Sequence, residues 1–257
     1  MNNVIEFRGK ELAFFDYKRE GIPLRGYQTS NSENYILLKK ILKIENKKYN
    51  SYVTIATYSD VPRFPLNPKE HWPLFKNWVK IRDETIINID FMLDFDADPT
   101  IQGLTKAWRD VQTAYKMLCI ILGEQTKYLT IWFSGNKGFH ILGKTKVTTI
   151  AQENIDKQLE IAKQIAPLCP TLDISIYDTA RLRKLLGSAC YSSTFGKTRV
   201  IPISNEQEFK ELISILNTEK QEKYFADKTL IRTNNINIIG VKKWIINLKQ
   251  KNYIMNK

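Results

Sequence analysis

The sequence predicts an α+β protein in which an antiparallel or mixed sheet is flanked by helices. Segments with strand-like alternation of apolar residues interleave with segments that have helical spacing along the chain. Several strand segments are joined by short turns, which favours antiparallel hairpins. The chain has 257 residues, of which 43% are hydrophobic and 11% aromatic. This composition is typical of one large folded domain, alone or with a small appendage.

The first eighty residues contain both kinds of segment. The patterns predict strands over 11–15, 23–27 and 52–58, and helices over 30–45 and 74–81. Between residues 61 and 73 there are four prolines, which rule out a regular element and predict a loop.

The central region predicts a long strand over 89–98 in which odd positions are apolar. The even positions are Asp90, Met92, Asp94, Asp96 and Asp98, so that one face of the strand presents four carboxylates. An amphipathic helix follows over 103–122 and stops before Gly123. Strands over 128–133 and 139–142 then form a hairpin with a turn at 134–138.

The C-terminal third predicts a helix over 149–168, a strand over 172–177 and a strand over 199–203. A capping box at 204–207 begins a further helix that ends near residue 216. The remaining segment, 217–257, is rich in Asn, Lys and Ile and predicts a short helical appendage, with its clearest helix near 241–250. We therefore divide the chain into a main domain over 1–216 and an appendage over 217–257.

Composition narrows the classes of function. The net charge of +12 favours a polyanionic partner. Three scattered cysteines and two histidines exclude a disulfide framework and a self-contained Cys/His zinc site, so no structural zinc is expected and a cytoplasmic location is favoured. No apolar segment reaches the roughly 20 residues that span a bilayer, and the N-terminus lacks an apolar signal segment, so no membrane association is expected.

Asp94 and Asp96 are the first candidate site. Residues two apart on a strand point the same way, about 7 Å apart, so their carboxylates can together hold divalent ions. Mg²⁺ and Mn²⁺ prefer such hard oxygen ligands. The alternative is a solvated edge strand whose acidic residues prevent aggregation.

The second candidate is the hairpin Ser134-Gly-Asn-Lys-Gly-Phe-His140. A turn with two glycines and a lysine can present backbone N–H groups and a cation to phosphates, and His140 can reach the same anion. The alternative is an ordinary hairpin turn beside a half-buried histidine.

The third candidate is Asp173 on its predicted strand, followed by a series of cations. A further carboxylate can complete a metal site, and the cations can hold a triphosphate or a template. These cations are Arg181, Arg183, Lys184, Lys197 and Arg199. The alternative is that all of these residues are solvated surface positions.

Taken in order, these segments resemble the three motifs of the archaeo-eukaryotic primase superfamily, in its catalytic small subunit. The motifs appear as Met92-Leu-Asp94-Phe-Asp96, Ser134-Gly-Asn-Lys-Gly-Phe-His140 and Leu172-Asp173, and the resemblance covers roughly residues 8–210. It implies the primase-polymerase fold with an RRM-like half. It also implies that Asp94, Asp96 and Asp173 hold two Mg²⁺ or Mn²⁺ ions. The residues it assigns to the nucleotide are Ser134, Lys137 and His140, with Arg181, Arg183, Lys184, Lys197 and Arg199 as further phosphate or template contacts.

The resemblance implies a DNA primase that makes short primers without a pre-existing primer. Its partners would be a single-stranded DNA template, NTPs or dNTPs, and a large subunit or helper domain. Two departures are that the chain cannot form the zinc knuckle of archaeal members and that Tyr191 stands where many carry a histidine. The alternatives are a primer-extending or end-joining polymerase of the same superfamily, a non-catalytic single-strand binder and a metal-dependent nuclease.

Overall fold

The structure, a computed structural model, describes residues 9–18, 24–28, 32–59, 72–143 and 151–227. Its strands are β1 (Leu12–Asp16), β2 (Leu24–Tyr27), β3 (Tyr49–Thr54), β4 (Ala56–Tyr58), β5 (Ile86–Ile89), β6 (Phe91–Asp96), β7 (Thr130–Phe133), β8 (Gly138–Gly143), β9 (Leu182–Lys184), β10 (Ala189–Ser192), β11 (Gly196–Arg199) and β12 (Ile201–Pro202). Its α-helices are α1 (Ser32–Ile41), α2 (Trp72–Asp83), α3 (Ile101–Leu122), α4 (Ala151–Ile165), α5 (Glu206–Ile215) and α6 (Gln221–Asp227). Short 3-10 helices cover Gly123–Tyr128, Ala166–Leu168 and Ile174–Ile176.

Two four-stranded sheets organise the described part of the chain. The N-terminal sheet has the order β2-β1-β3-β9, and the central sheet has the order β12-β7-β8-β6. Two further strand pairs, β4 with β5 and β10 with β11, complete the set. All strand pairings among the described residues are antiparallel. The predicted α+β class, with antiparallel sheets flanked by helices, is confirmed.

Two predicted strands are each divided in the structure. The strand predicted over 52–58 breaks at Ile55 into β3 and β4, and the strand predicted over 89–98 breaks at Asp90 into β5 and β6. The two breaks lie together, because the Asp90 N–H donates to the Ile55 carbonyl at 3.0 Å. At these two breaks the strands change pairing partners. Strand β3 belongs to the N-terminal sheet, β4 and β5 pair with each other, and β6 belongs to the central sheet.

The strand predicted over 172–177 is wrong. Residues Ile174–Ile176 form a 3-10 helix, whose N-cap is Asp173. The Asp173 carboxylate accepts hydrogen bonds from the Ser175 N–H at 2.8 Å and the Ser175 hydroxyl at 2.6 Å. This short-range capping competes with strand pairing, so only Leu172 makes a bridge, with Phe95.

The predicted helices are largely confirmed. Helix α3 begins two residues earlier than predicted, because the hydroxyl of Thr100 caps the Gly103 N–H at 3.0 Å. Helix α4 covers most of the helix predicted over 149–168. Helix α5 has its capping box one residue later than predicted, since Asn205 accepts from the Glu208 N–H and Glu208 reaches back to the Ser204 N–H.

The main core lies between the central sheet and the helices that flank it. Strand β6 sends Phe91, Leu93 and Phe95 into this core, while Met92 packs into a second cluster on the other face. Both faces of β6 are therefore buried, and Asp94 is only 7% exposed. The interpretation of this strand as a solvated edge is wrong.

Part of the predicted appendage is described. Phe225 of α6 joins the main core, and the Gln221 side chain donates to the Phe195 carbonyl at 2.6 Å. The division at residue 216 stays a prediction. Residues 61–71 of the predicted proline loop, and the predicted helix near 241–250, lie outside the described residues. In the described part of the chain, no helix combines the length and the apolar character needed to cross a membrane.

Candidate active site

Strand β6 and its neighbour β8 form the floor of the candidate site. The register of this pair places Asp94 opposite His140 and Asp96 opposite Gly138. A side chain at residue 138 would collide with β6, since a Cβ there would lie 1.7 Å from the Phe95 carbonyl oxygen. Glycine at 138 therefore allows the two strands to pair at the site.

Asp173 reaches the site through backbone hydrogen bonds to the outer edge of β6. The Asp96 N–H donates to the Thr171 carbonyl, and the Asp173 N–H donates to the Asp94 carbonyl, both at 2.8 Å. The segment is held from behind by the buried carboxylate of Asp110 on α3, which accepts from the Thr171 N–H at 2.8 Å and hydroxyl at 2.7 Å. Asp173 is thus fixed beside Asp94 without being part of a regular strand.

The three predicted carboxylates converge. Asp94, Asp96 and Asp173 each offer an oxygen, and these oxygens lie within 4.8 Å of one another. Carboxylates at such a separation repel one another unless cations are present. The cluster therefore requires positive charge from the protein or from a bound ion.

Three cationic side chains, or side chains able to become cationic, surround the cluster. Lys137 Nζ lies 2.6 Å from Asp96 Oδ2, and His140 Nε2 lies 3.2 Å from Asp94 Oδ1. Arg181 Nη2 lies 3.5 Å from Asp94 Oδ2 and 3.6 Å from Asp173 Oδ2, so it bridges two of the acids. The structure brings all three of these predicted nucleotide contacts to the carboxylates.

The two acids of β6 have pKa values shifted in opposite directions. Burial opposes the ionisation of Asp94, but His140, then Arg181 and Lys137, outweigh it and hold the pKa of Asp94 below its ordinary value. Burial, and then the negative charge of Asp94, raise the pKa of Asp96, although Lys137 opposes the change. Asp94 is therefore the acid that the protein's own cations keep ionised.

The donor set fits a divalent metal ion. All three side chains supply carboxylate oxygens, the ligands that Mg²⁺ and Mn²⁺ prefer. Asp94 Oδ1 is buried and has no hydrogen bond, although His140 Nε2 lies 3.2 Å away. A buried oxygen without a hydrogen bond is unusual and leaves capacity for an incoming cation.

The β7–β8 hairpin carries Ser134, Lys137 and His140 and is firmly held. The Ser134 N–H donates to the Gly138 carbonyl at 2.9 Å and closes the turn. Gly135 has φ +86°, and the Thr198 hydroxyl of β11 donates to its carbonyl. Lys137 reaches the carboxylates from the turn and His140 from strand β8, while Ser134 is buried at the start of the turn.

The cations of β11 lie on a different face from the hairpin. Because Thr198 points its hydroxyl at Gly135, strand alternation directs Lys197 and Arg199 to the opposite face of the β10–β11 pair. Their roles as phosphate or template contacts stay predictions.

The cations of β9 lie in the N-terminal sheet. Arg183 is buried opposite Val53, and this burial lowers its pKa. Lys184 Nζ lies 2.9 Å from the Cys190 sulfur and over the ring of Tyr52. For these two residues as well, a nucleotide-binding role stays a prediction.

Sequence reasoning missed two residues that shape the site. Asp110 fixes the segment before Asp173, and its signal was a carboxylate within the apolar face of α3, between Ala107 and Ala114. Tyr177 donates from its hydroxyl to the Met92 carbonyl at 3.2 Å, and burial, then Asp94 and Asp173, raise its pKa. No spacing rule links Tyr177 to β6.

Comparisons with known proteins give structural likenesses only. No protein-family model and no curated protein matches the sequence. Primase RepB′ matches with a TM-score of 0.43 and 11% identity over 85% of this chain, which spans 62% of that protein's length. The AEP domain of the Cyanophage S-2L primase-polymerase matches with a TM-score of 0.42 and 12% identity, covering 80% of this chain and 89% of that one.

A third solved structure is the polymerase domain of Mycobacterium tuberculosis Ligase D in complex with DNA. It matches with a TM-score of 0.45 and 14% identity, covering 82% of this chain and 72% of that one. With all three TM-scores below 0.5, a functional conclusion has to rest on the residues and geometry of this chain.

Proposed function

We propose that this protein is a DNA primase, a nucleotidyltransferase that joins nucleoside triphosphates on a single-stranded DNA template without a primer. The observation that carries the proposal is the convergence of Asp94, Asp96 and Asp173, whose carboxylate oxygens lie within 4.8 Å. These are the three acids that the motif resemblance assigns to metal binding, and they lie in separate parts of the sequence.

In this proposal Asp94, Asp96 and Asp173 hold two divalent ions, Mg²⁺ or Mn²⁺. Such ions, when bound, lower the pKa of an attacking 3′-hydroxyl and neutralise the charge of a triphosphate. The chain's own residues then hold the nucleotide. Lys137 and His140 lie beside the carboxylates on the β7–β8 hairpin, and their role in this proposal is to contact phosphates that approach the same cluster.

The burial of Asp94 favours a catalytic site over a surface that only binds single-stranded nucleic acid. A surface for single strands presents cations and aromatic rings to the phosphate backbone. Here the centre of the cluster is an acid, Asp94, which is 7% exposed and lacks a full set of hydrogen bonds. Carboxylates at a binding surface repel phosphate unless a cation intervenes. The cluster therefore favours metal-dependent chemistry.

The test is synthesis on a single-stranded DNA template without primer, with NTPs and dNTPs supplied separately and with Mg²⁺ or Mn²⁺. We expect short labelled products from the wild-type protein and none from Asp173→Ala. Asp98→Ala is the matched control, because Asp98 is exposed and lies outside the carboxylate cluster. Strictly primer-dependent extension would replace the primase assignment by a primer-extending or end-joining polymerase. Absence of incorporation with and without primer would overturn both.

A further inference from the structure

Arg181 occupies an unusual position for a residue expected to bind nucleotide. Its guanidinium bridges Asp94 and Asp173 at 3.5 and 3.6 Å, and its side chain is 28% exposed. An arginine does not lose its proton in a protein. Its positive charge therefore stays on the carboxylate cluster until the side chain moves.

The segment that carries Arg181 is anchored to a distant part of the chain. The Thr179 hydroxyl donates to Asp83 Oδ2, at the end of α2. The other oxygen, Asp83 Oδ1, accepts from Arg82 Nε at 3.0 Å and from Arg82 Nη2 at 2.6 Å. The Arg181 carbonyl accepts from the Ile55 N–H at 3.1 Å. The segment around Arg181 is thus tied to α2 through the Thr179 side chain and to the β3–β4 junction through the Arg181 carbonyl.

The anchor itself is rigid. The Arg82 side chain is fully buried, pairs with the buried carboxylate of Glu11 at 2.6 Å, and lies against the rings of Tyr58 and Trp78. A buried, paired arginine of this kind moves only at a high energetic cost. Asp83 and Thr179 therefore connect the segment that carries Arg181 to the well-held interior around Arg82.

We propose that Arg181 is an internal counter-ion that competes with a divalent metal ion for Asp94 and Asp173, and that Asp83 and Thr179 are positioning residues that hold it there. The inference rests on the proposed function, because it takes the carboxylate cluster as the metal site. A guanidinium and a metal ion repel each other at the same two oxygens. While Arg181 stays on these Oδ2 atoms its charge weakens metal binding at the same carboxylates, and the anchor sets how readily it leaves.

The test measures the dissociation constant for Mn²⁺ on the full chain, by electron paramagnetic resonance of free Mn²⁺, without nucleotide. Arg181→Gln removes the competing charge, and we expect it to tighten Mn²⁺ binding about tenfold. Arg109→Gln is the matched control, since Arg109 is exposed on α3 and the change in net charge is the same. Unchanged or weaker Mn²⁺ binding by Arg181→Gln would overturn the counter-ion role.

The positioning role has its own double-mutant cycle. Thr179→Val deletes the hydroxyl that reaches Asp83 at nearly constant volume, and we expect about two- to threefold tighter Mn²⁺ binding, while Thr179→Ser behaves as wild type. In the Arg181→Gln background the same Val substitution should have no effect. An equal effect in both backgrounds would show that Thr179 does not act through Arg181 and would overturn its role.

The outcomes separate this inference from the proposed function. A wild-type protein that binds no Mn²⁺, and whose Asp94→Asn variant is indistinguishable from it, contradicts the metal site and the counter-ion with it. A wild-type protein that binds Mn²⁺ with an affinity that Arg181→Gln does not change contradicts the counter-ion alone. Thermal melting of each variant confirms that the compared proteins are folded.

Discussion

Glu11 and Asp94 are both buried carboxylates beside arginine, and the protein treats them differently. Both oxygens of Glu11 are satisfied: Oε1 accepts from Arg25 Nε at 2.8 Å and the Gly26 N–H at 3.2 Å, and Oε2 accepts from Arg82 Nη1 at 2.6 Å. Asp94 has His140 Nε2 at 3.2 Å and Arg181 Nη2 at 3.5 Å, yet its Oδ1 has no hydrogen bond.

The difference distinguishes a charge that holds the fold from a charge held ready for a ligand. A buried ion pair with complete hydrogen bonding is costly to break, because the remaining partner is left uncompensated. A buried acid with incomplete hydrogen bonding is expected where function requires it. The N-terminal network around Glu11 is therefore structural, whereas the cluster around Asp94 is the candidate for chemistry.

The largest expected effect is on activity at the carboxylate cluster. Asp94→Asn should lower the rate of nucleotide incorporation by about 1,000-fold, since it removes a charge that the metal ions need. The free energy of unfolding should fall by only about 1–2 kcal/mol: the lowered pKa of Asp94 shows that the fold favours its carboxylate, but Arg181 keeps Asp173 as a partner in the variant. Incorporation kinetics and urea denaturation measure the two. A large loss of stability would place Asp94 in the same class as Glu11.

The converse change is Glu11→Ala. It leaves Arg82 buried without its partner, and we expect the free energy of unfolding to fall by about 3–5 kcal/mol in urea denaturation. At a temperature where the variant is still folded, incorporation should fall far less than in Asp94→Asn. Wild-type stability for Glu11→Ala would remove the structural role of the network.

His140 is expected to give a smaller effect, confined to the nucleotide. His140→Ala leaves the carboxylates in place but removes a side chain 3.2 Å from Asp94 that extends toward the site. We expect the KM for nucleotide to rise about tenfold with a lesser change in kcat. Steady-state kinetics with varied nucleotide measure this. Unchanged KM and unchanged kcat would exclude His140 from the site.

The smallest expected effect is on the pH dependence of stability, at Tyr35 in the N-terminal region. Burial raises the pKa of Tyr35 from 10.0 to about 12. Because the folded protein favours the neutral phenol, the contribution of Tyr35 to the free energy of unfolding is fully present below pH 10.0. It is lost as the pH rises toward 12. Tyr35→Phe, which deletes the hydrogen bond to Ser51, should lower stability by about 1 kcal/mol at neutral pH and flatten this alkaline loss. Urea denaturation across this pH range tests it, and an unchanged slope would contradict it.

Local patterns were sufficient where neighbouring residues decide the outcome. Helix α3 and the β7–β8 hairpin follow from apolar spacing and glycine placement. Asp94 and Asp96 were correctly placed on one strand, because residues two apart on a strand must share a face. The strand predicted for Asp173 was wrong, since its side chain caps a 3-10 helix, yet the residue still reaches the cluster.

The sequence by itself determined the α+β class, the order of the chemical segments and the identity of the three acids. Their side chains are the carboxylates that a metal site needs, and motif order is a property of the chain alone. Only the tertiary structure decided that Asp94 is buried, that Asp110 holds the segment before Asp173, and that Arg181 bridges two acids while Arg183 lies in another sheet. These facts depend on contacts between residues tens of positions apart, which no local periodicity encodes.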